Sequence, residues 1–268
     1  MGISAVMVIA LALGAGPLVL DNGAVRVEIA PETQCVRFAG FASGQNFVEP
    51  VLVAEDRETT PGGLQAHVIG PGSCPVGPAN VVERDDRHVL LRGPKADNGL
   101  FAEQEITLLE KEDQVRFKVR LKAEKPVLGP FAWRVIMRAR PDSTFRVRRE
   151  GGVKMRAIAG ARELRPYVVP SVRYWLMPVP PTERAKDILL GAFTPVMQTE
   201  RESGFWTRRI MLMPDSAGLV PQESTFLCLL DSASHSYGAA LQSPWQNVSP
   251  TEPLVYTEEW TFERRGPK

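Results

Sequence analysis

Apolar and polar residues alternate along most of this chain with the two-residue period of a β-strand. The clearest case is QVRFKVRLK at 114–122, where Val115, Phe117, Val119 and Leu121 share one face and Arg116, Lys118, Arg120 and Lys122 the other. Such a strand buries one side and wets its opposite; the cationic side reads as an ordinary exposed sheet surface, the alternative being a polyanion site. At 24–30 (AVRVEIA), Val25, Val27 and Ile29 oppose Arg26 and Glu28. The preceding LVL at 18–20 and Asp21-Asn22-Gly23 predict a hairpin, because Asn-Gly tolerates the positive φ angles of tight turns.

Further strands are predicted at 105–110, 131–139, 144–150, between 167 and 177, and at 208–213, 224–230, 237–242 and 254–263. They recur at short spacings, and the 22 Gly and 23 Pro spread between them are the punctuation of a large antiparallel sandwich or barrel. One helix is expected, TERAKDILL at 182–190 with Thr182 as N-cap and Gly191 past its end, although DILLGAF fits a strand equally well. Residues 55–80, with PGG, GPG and PVGP, read as a long loop over the sheet. No linker or fixed-period repeat divides the chain, so residues 17–268 are expected to form a single domain.

A 268-residue chain with 32 basic and 31 acidic residues has a formal net charge of +1, too small to steer it toward nucleic acid. Residues 3–16 (ISAVMVIALALGAG) are an apolar run closing on small residues, so residues 1–16 read as a signal peptide directing export to the periplasm or the exterior. The n-region, Met1-Gly2, lacks Lys or Arg, which leaves an uncleaved anchor or a late start codon as alternatives. With cleavage, no stable membrane insertion is expected. Cys35, Cys74 and Cys228 lie too far apart in sequence for a C-x-x-C zinc or dithiol motif. A Cys35–Cys74 bridge is open in an oxidising compartment, while Cys228, within FLCLL, reads as a buried small hydrophobe.

Three stretches resemble the galactose mutarotase-like superfamily: DNGAVRVEIAPETQCVRFAGFASGQNFVEP at 21–50, ITLLEKEDQVRFKVRLKAEKPVLGPFAWRVIMRA at 106–139 and YGAALQSPWQNVSPTEPLVYTEEWTFE at 237–263. The resemblance implies an all-β fold, a large antiparallel β-supersandwich with a concave sheet face that holds a sugar in relatives. It also implies a Glu base on the penultimate strand and His residues as acid and orienting groups. At that strand YGAALQ offers Gln242, whose amide accepts no proton at neutral pH.

Of the three histidines, His67 lies beside the Gly/Pro-rich loop, His88 opens a strand, and His235 precedes the Gln242 strand and is the best placed to rim the same end of the sheet. Trp133, with Arg134 beside it, takes the position that faces the sugar in relatives; the competing reading is a core aromatic. Trp260 alternates with Phe262 and reads as core, whereas Trp245 follows Pro244 in a turn and reads as exposed. The expected substrate-binding set is Trp133, Arg134, His235 and Gln242, with a mono- or oligosaccharide as partner and no metal or cofactor. Three functions follow: an exported, non-catalytic carbohydrate-binding protein; a sugar-active enzyme using Glu105, His235 or Glu252 in place of the missing Glu; and a cell-surface structural or interaction protein. The first accommodates Gln242 and the scarcity of His.

Overall fold

The turn at Asp21-Asn22-Gly23 closes as its residues dictate. Asn22 Oδ1 accepts from the backbone N–H of Ala24 at 3.1 Å and Val25 at 2.8 Å, and Gly23 takes φ +85°. The strands on either side bury Leu18, Leu20, Val25, Val27 and Ile29, the face that alternation assigned to the core. The computed structural model describes residues 16–49, 51–53, 59–61, 63–71, 77–111, 113–181, 187–213, 218–231 and 236–264.

The strands are, in chain order, β1 (Leu18–Asp21), β2 (Val25–Ala30), β3 (Cys35–Phe41), β4 (Gln45–Asn46), β5 (Val51–Val53), β6 (Thr59–Pro61), β7 (Leu64–Ile69) and β8 (Asn80–Arg84). Next come β9 (His88–Arg92), β10 (Leu100–Leu108), β11 (Gln114–Ala123), β12 (Val127–Arg138), β13 (Ser143–Arg148), β14 (Arg156–Ala159), β15 (Val169–Pro170) and β16 (Tyr174–Pro178). The last are β17 (Ile188–Ala192), β18 (Val196–Arg201), β19 (Phe205–Met211), β20 (Phe226–Asp231), β21 (Ser236–Gln242), β22 (Gln246–Val248) and β23 (Leu254–Arg264). Their ladders are antiparallel.

One large sheet runs β1-β2-β3-β7-β12-β21-β20-β17-β14, with β4 on β3 and β22 on β12; the other runs β15-β16-β13-β18-β19-β23-β11-β10-β9-β8; β5 and β6 pair apart. The sheets stack through apolar faces, an all-β sandwich. In the first sheet β3 meets β7 at a single register pair, Val36 with Leu64. Phe117 stacks on Trp260 at 6.0 Å between ring centroids, and Phe41, Phe47, Phe205 and Phe262 form a second aromatic cluster. The cationic face of β11 is an ordinary sheet surface: Arg116 meets Glu259 at 2.6 Å, Arg120 meets Glu105 at 2.6 Å and Lys122 meets Glu103 at 2.8 Å.

Two expectations are corrected. Of the stretch read as a helix, residues 182–186 lie outside the described residues, and Ile188–Ala192 is strand β17. It pairs with β20 over Ile188 to Ala192, and the β-branched and leucine side chains fill the sheet, so pairing overrides helix propensity. Within the supposed loop at 55–80, Leu64–Ile69 is β7, an interior strand hidden in sequence by the glycines and prolines on each side.

The core also encloses charge. Arg209 on β19 and Glu258 on β23 are 1% and 0% exposed and pair doubly, with Nη2 2.8 Å from each carboxylate oxygen. Glu258 further accepts from Tyr256 Oη at 2.7 Å and Trp260 Nε1 at 2.8 Å, and Arg209 lies over the Trp260 ring. Burial and the adjacent carboxylate push the Tyr256 phenol well above its usual range. Removing one partner strands the other's charge in the core, so Glu258→Ala is expected to lose about 3–5 kcal/mol of unfolding free energy. In urea titrations, the double replacement Arg209→Met with Glu258→Leu should lose less than Glu258→Ala alone.

Candidate functional site

Strand β12 divides the molecule. Phe131, Trp133, Val135 and Met137 point into the sandwich and are buried, while Arg134, Ile136 and Arg138 alternate onto the outward face of the first sheet and are half-buried. Trp133 is therefore a core aromatic, 1% exposed, with its indole N–H 3.3 Å from Leu254 O. The hollow between the sheets that it lines is about 40 Å³, far below the ~300–1,000 Å³ of small-molecule sites.

Arg134 stands opposite His67 of β7 on one side and Gln242 of β21 on the other. Antiparallel partners point to the same face, so these three side chains form one row across the outward surface. Gln242 is 0% exposed and all its bonds run one way. Its Oε1 accepts from Arg134 Nε at 2.7 Å, and its Nε2 donates to Pro221 O at 3.2 Å and Ser224 O at 2.8 Å. The amide thereby ties the 3-10 turn at Pro221–Glu223 to the sheet. A carboxylate at this position would face two carbonyl oxygens with nothing to donate.

That turn holds two consecutive non-glycine residues in the left-handed region, Gln222 at φ +53° and Glu223 at φ +49°, a conformation that persists only where surroundings enforce it. The enforcement is visible. Arg156 on β14 donates to Glu223 Oε2 at 2.8 Å, to Ser224 Oγ at 3.2 Å and to Gln222 O. Gln222 Oε1 accepts from Arg134 Nη2 at 3.1 Å. Beside it opens a cleft of about 580 Å³ lined by Arg156, Gln222, Glu223, Leu219 and Trp245 among others.

His67 titrates below the usual histidine range, first because it is buried and then because Arg138 and Arg134 oppose a third positive charge. Burial also lowers Arg134 and Arg138 themselves. In this row the guanidinium of Arg134 stands between an imidazole whose charged form is disfavoured and an amide.

No protein-family model matches the chain, and no curated protein matches it. Among solved structures it resembles a galactose mutarotase-like protein from Lactobacillus casei (TM-score 0.60, 9% identity, covering 92% of this chain and 100% of that one). It resembles equally the GalM/aldose epimerase homologue from C. elegans (TM-score 0.58, 12% identity, 94% and 100% covered). A galactose mutarotase related enzyme from Lactobacillus acidophilus follows at TM-score 0.55 and 8% identity, 92% and 97% covered. The fold is galactose mutarotase-like.

Within that fold the expected site residues separate. Arg134 and Gln242 share the outward row, Trp133 points to the opposite face, and His235 lies outside the described residues, as do Cys74 and residues 1–15 of the apolar leader. Glu105 and His88, 3.6 Å apart, are on the second sheet, where Arg120 pairs with the carboxylate; Glu252 belongs to the exposed turn after Ser249. Arg138, Arg156, Gln222 and Glu223 escaped the sequence reading. The strand alternation of 131–139 carried the signal for Arg138, whereas Gln222 and Glu223 reach the site through a turn that no periodicity marks. Cys35 and Cys228 are buried, and burial raises the Cys35 thiol to about 11. Among the described residues, no three His, Cys, Asp or Glu side chains gather as a metal cage.

Gln242→Glu is expected to cost about 1–3 kcal/mol at neutral pH by thermal unfolding, the penalty of carbonyl groups left without donors. The deficit should shrink on acidification, as a protonated carboxyl regains one donor. Proton NMR of the imidazole, assigned by its loss in His67→Gln, should give a His67 midpoint below 6.5, and Arg138→Gln should raise it. Because the native state resists this proton and the unfolded chain accepts it, His67 lowers stability as pH falls through the unfolded value near 6.5.

Proposed function

We propose that this protein binds carbohydrate on the outward face of its first sheet without interconverting anomers. The observation that carries the reading is the cleft of about 580 Å³ whose wall combines the half-buried Trp245 with Arg156, Gln222 and Glu223. A flat ring supplies an apolar platform for one face of a pyranose, and planar amide, carboxylate and guanidinium groups match its hydroxyls. The volume falls within the range of small-molecule sites, ~300–1,000 Å³. The likeness to mutarotase-related structures adds a sugar-associated fold, which by itself assigns no activity.

Anomer interconversion needs a base at the anomeric hydroxyl and an acid at the ring oxygen of the same sugar. Gln242 has its oxygen committed to Arg134 and its nitrogen to two carbonyls. Glu223 is held by Arg156, and the charges acting on His67 among the described residues are those of Arg138 and Arg134, which oppose its protonation. Binding makes none of these demands. The apolar run at residues 3–16 points to action outside the cytoplasm.

Titration with mono- and oligosaccharides should change tryptophan fluorescence, and Trp245→Ala should abolish the change while the protein stays folded. Polarimetry on fresh α-glucose and α-galactose should show the uncatalysed rate. Acceleration there would replace this reading with an enzymatic one, and a flat response across a glycan array would remove it.

A further inference from the structure

The charge of this chain is unevenly spread. Between residues 146 and 173 it carries eight Lys or Arg against two Glu, in a protein whose total is +1. That segment wraps one lateral edge of the sandwich, since it includes β14, the last strand of the first sheet's order, and β15, the terminal strand of the second. Elsewhere on the second sheet arginines meet carboxylates, as Arg92 meets Glu103 and Arg116 meets Glu259. Here most do not. Lys154, Arg162, Arg165 and Arg173 are exposed and form no ion pair among the described residues, and the exposed Arg148 approaches Glu150 only to 3.5 Å.

Hydrogen bonds gather several of these cations at one corner. Arg149 donates its backbone N–H to Arg173 O at 2.9 Å and its Nη1 to Ser171 O at 2.5 Å, and its guanidinium lies 4.5 Å from the centre of the Trp175 ring. The Trp175 indole N–H donates in turn to Val153 O at 3.1 Å, which brings Lys154 beside the same turn. Arg148 is the cross-strand partner of Tyr174, and Arg165 lies in the bend that leads into β15, where Leu164 O accepts from the N–H groups of Tyr167 and Val168. The tip of the corner is apolar. Ser171 N–H donates to Tyr174 O at 2.8 Å and Tyr174 N–H to Ser171 Oγ at 3.0 Å, and the turn so closed holds Val172 out at 95% exposure, with Val169 on β15 at 47%. A valine presented by an ordered turn gains free energy once an apolar phase covers it. The adjoining Tyr174 and Trp175 are half-buried rings of the kind that suit a boundary between water and hydrocarbon.

We propose that this corner binds peripherally to a bilayer bearing anionic headgroups, with Val172 and Val169 entering the headgroup zone and Arg148, Lys154, Arg165 and Arg173 meeting the lipid phosphates around them. Such attachment adds the burial of apolar side chains to a Coulomb attraction for each cation near the surface. A soluble polyanion would engage the cations and leave Val172 in water, so the pairing of the two features favours lipid. None of these residues lines the Trp245 cleft, and the inference stands apart from the carbohydrate reading.

Flotation of the full chain with vesicles tests it. Vesicles of one part phosphatidylglycerol to two parts phosphatidylcholine should carry the protein upward, phosphatidylcholine alone should bind it about tenfold or more weakly, and added salt should release it. The apolar residues 3–16 would add equally to both vesicle types, so the difference between them is the readout. Replacing Lys154 and Arg173 together by Gln should weaken partitioning into the anionic vesicles about tenfold. Val172→Ser should weaken it roughly fivefold, and Val172→Trp should strengthen it, a gain that an unfolded variant would not give. Because these side chains are exposed, thermal unfolding of each variant should match that of the parent. Inorganic phosphate at matched ionic strength should not displace the protein; displacement would overturn the lipid surface in favour of a free phosphate site. Equal binding to both vesicle types, or to neither, would overturn the proposal. Binding of polyglutamate without binding of vesicles would overturn the lipid and assign the corner to an acidic polymer. A vesicle preference untouched by both the Gln double replacement and Val172→Ser would overturn the assignment to this corner.

Discussion

The pair formed by Arg209 and Glu258 is the constraint around which the sandwich is arranged. Two full charges sit where the sheets meet, and desolvating them is offset by their pairing and by the further donors on the carboxylate, although Arg209 Nε is left without a partner among the described residues. The carboxylate receives Arg209, Tyr256 and Trp260, and the guanidinium also reaches Val135 O across the sandwich at 3.3 Å. That last bond runs from β19 of the second sheet to β12 of the first. A shift of one sheet past the other, or a slip of β23 by one residue, would strand a charge in hydrocarbon, so the network specifies one register where apolar packing alone would permit several.

Fixing β12 in this way fixes the site. Val135 faces the buried guanidinium, so Arg134 and Arg138, odd steps away, must face outward. The inward side of one strand anchors the core and its outward side carries the candidate chemistry. The same division explains why Gln242 is an amide: its strand partner is a cation and its other neighbours are carbonyls, an environment that asks for one acceptor and two donors.

Alternation made the sandwich legible, because half-buried antiparallel strands write their burial directly into the sequence. Val115, Phe117, Val119 and Leu121 are all buried, as are Trp260 and Phe262. The failures have local causes. β7 is short and bracketed by Gly and Pro, and β17 carries residues that suit a helix equally until β20 pairs with it. That Arg134 and Gln242 share one face follows from strand position, but the side taken by Trp133 does not: adjacent residues on a strand face opposite ways, and which faces inward depends on the second sheet. The Gln222–Glu223 turn was beyond reach, since its left-handed backbone is enforced by Arg156, far away in sequence.

Within the first sheet, β1, β2 and β3 join β7 through the single register pair of Val36 and Leu64. Further ties come from the Val48–Ala139 bridge, from Glu49 N–H to Arg138 O, from Arg201 Nη1 to Asn46 O, and from side-chain packing across the sandwich through Leu20, Val25, Val27 and Ile29. An edge panel joined to its own sheet at one register pair is where sub-global opening would be expected to begin. Cys35 sits at the joint, its sulfur shielded and its thiolate disfavoured. Its alkylation would require local opening of this joint, so that one sulfur would report on the motion.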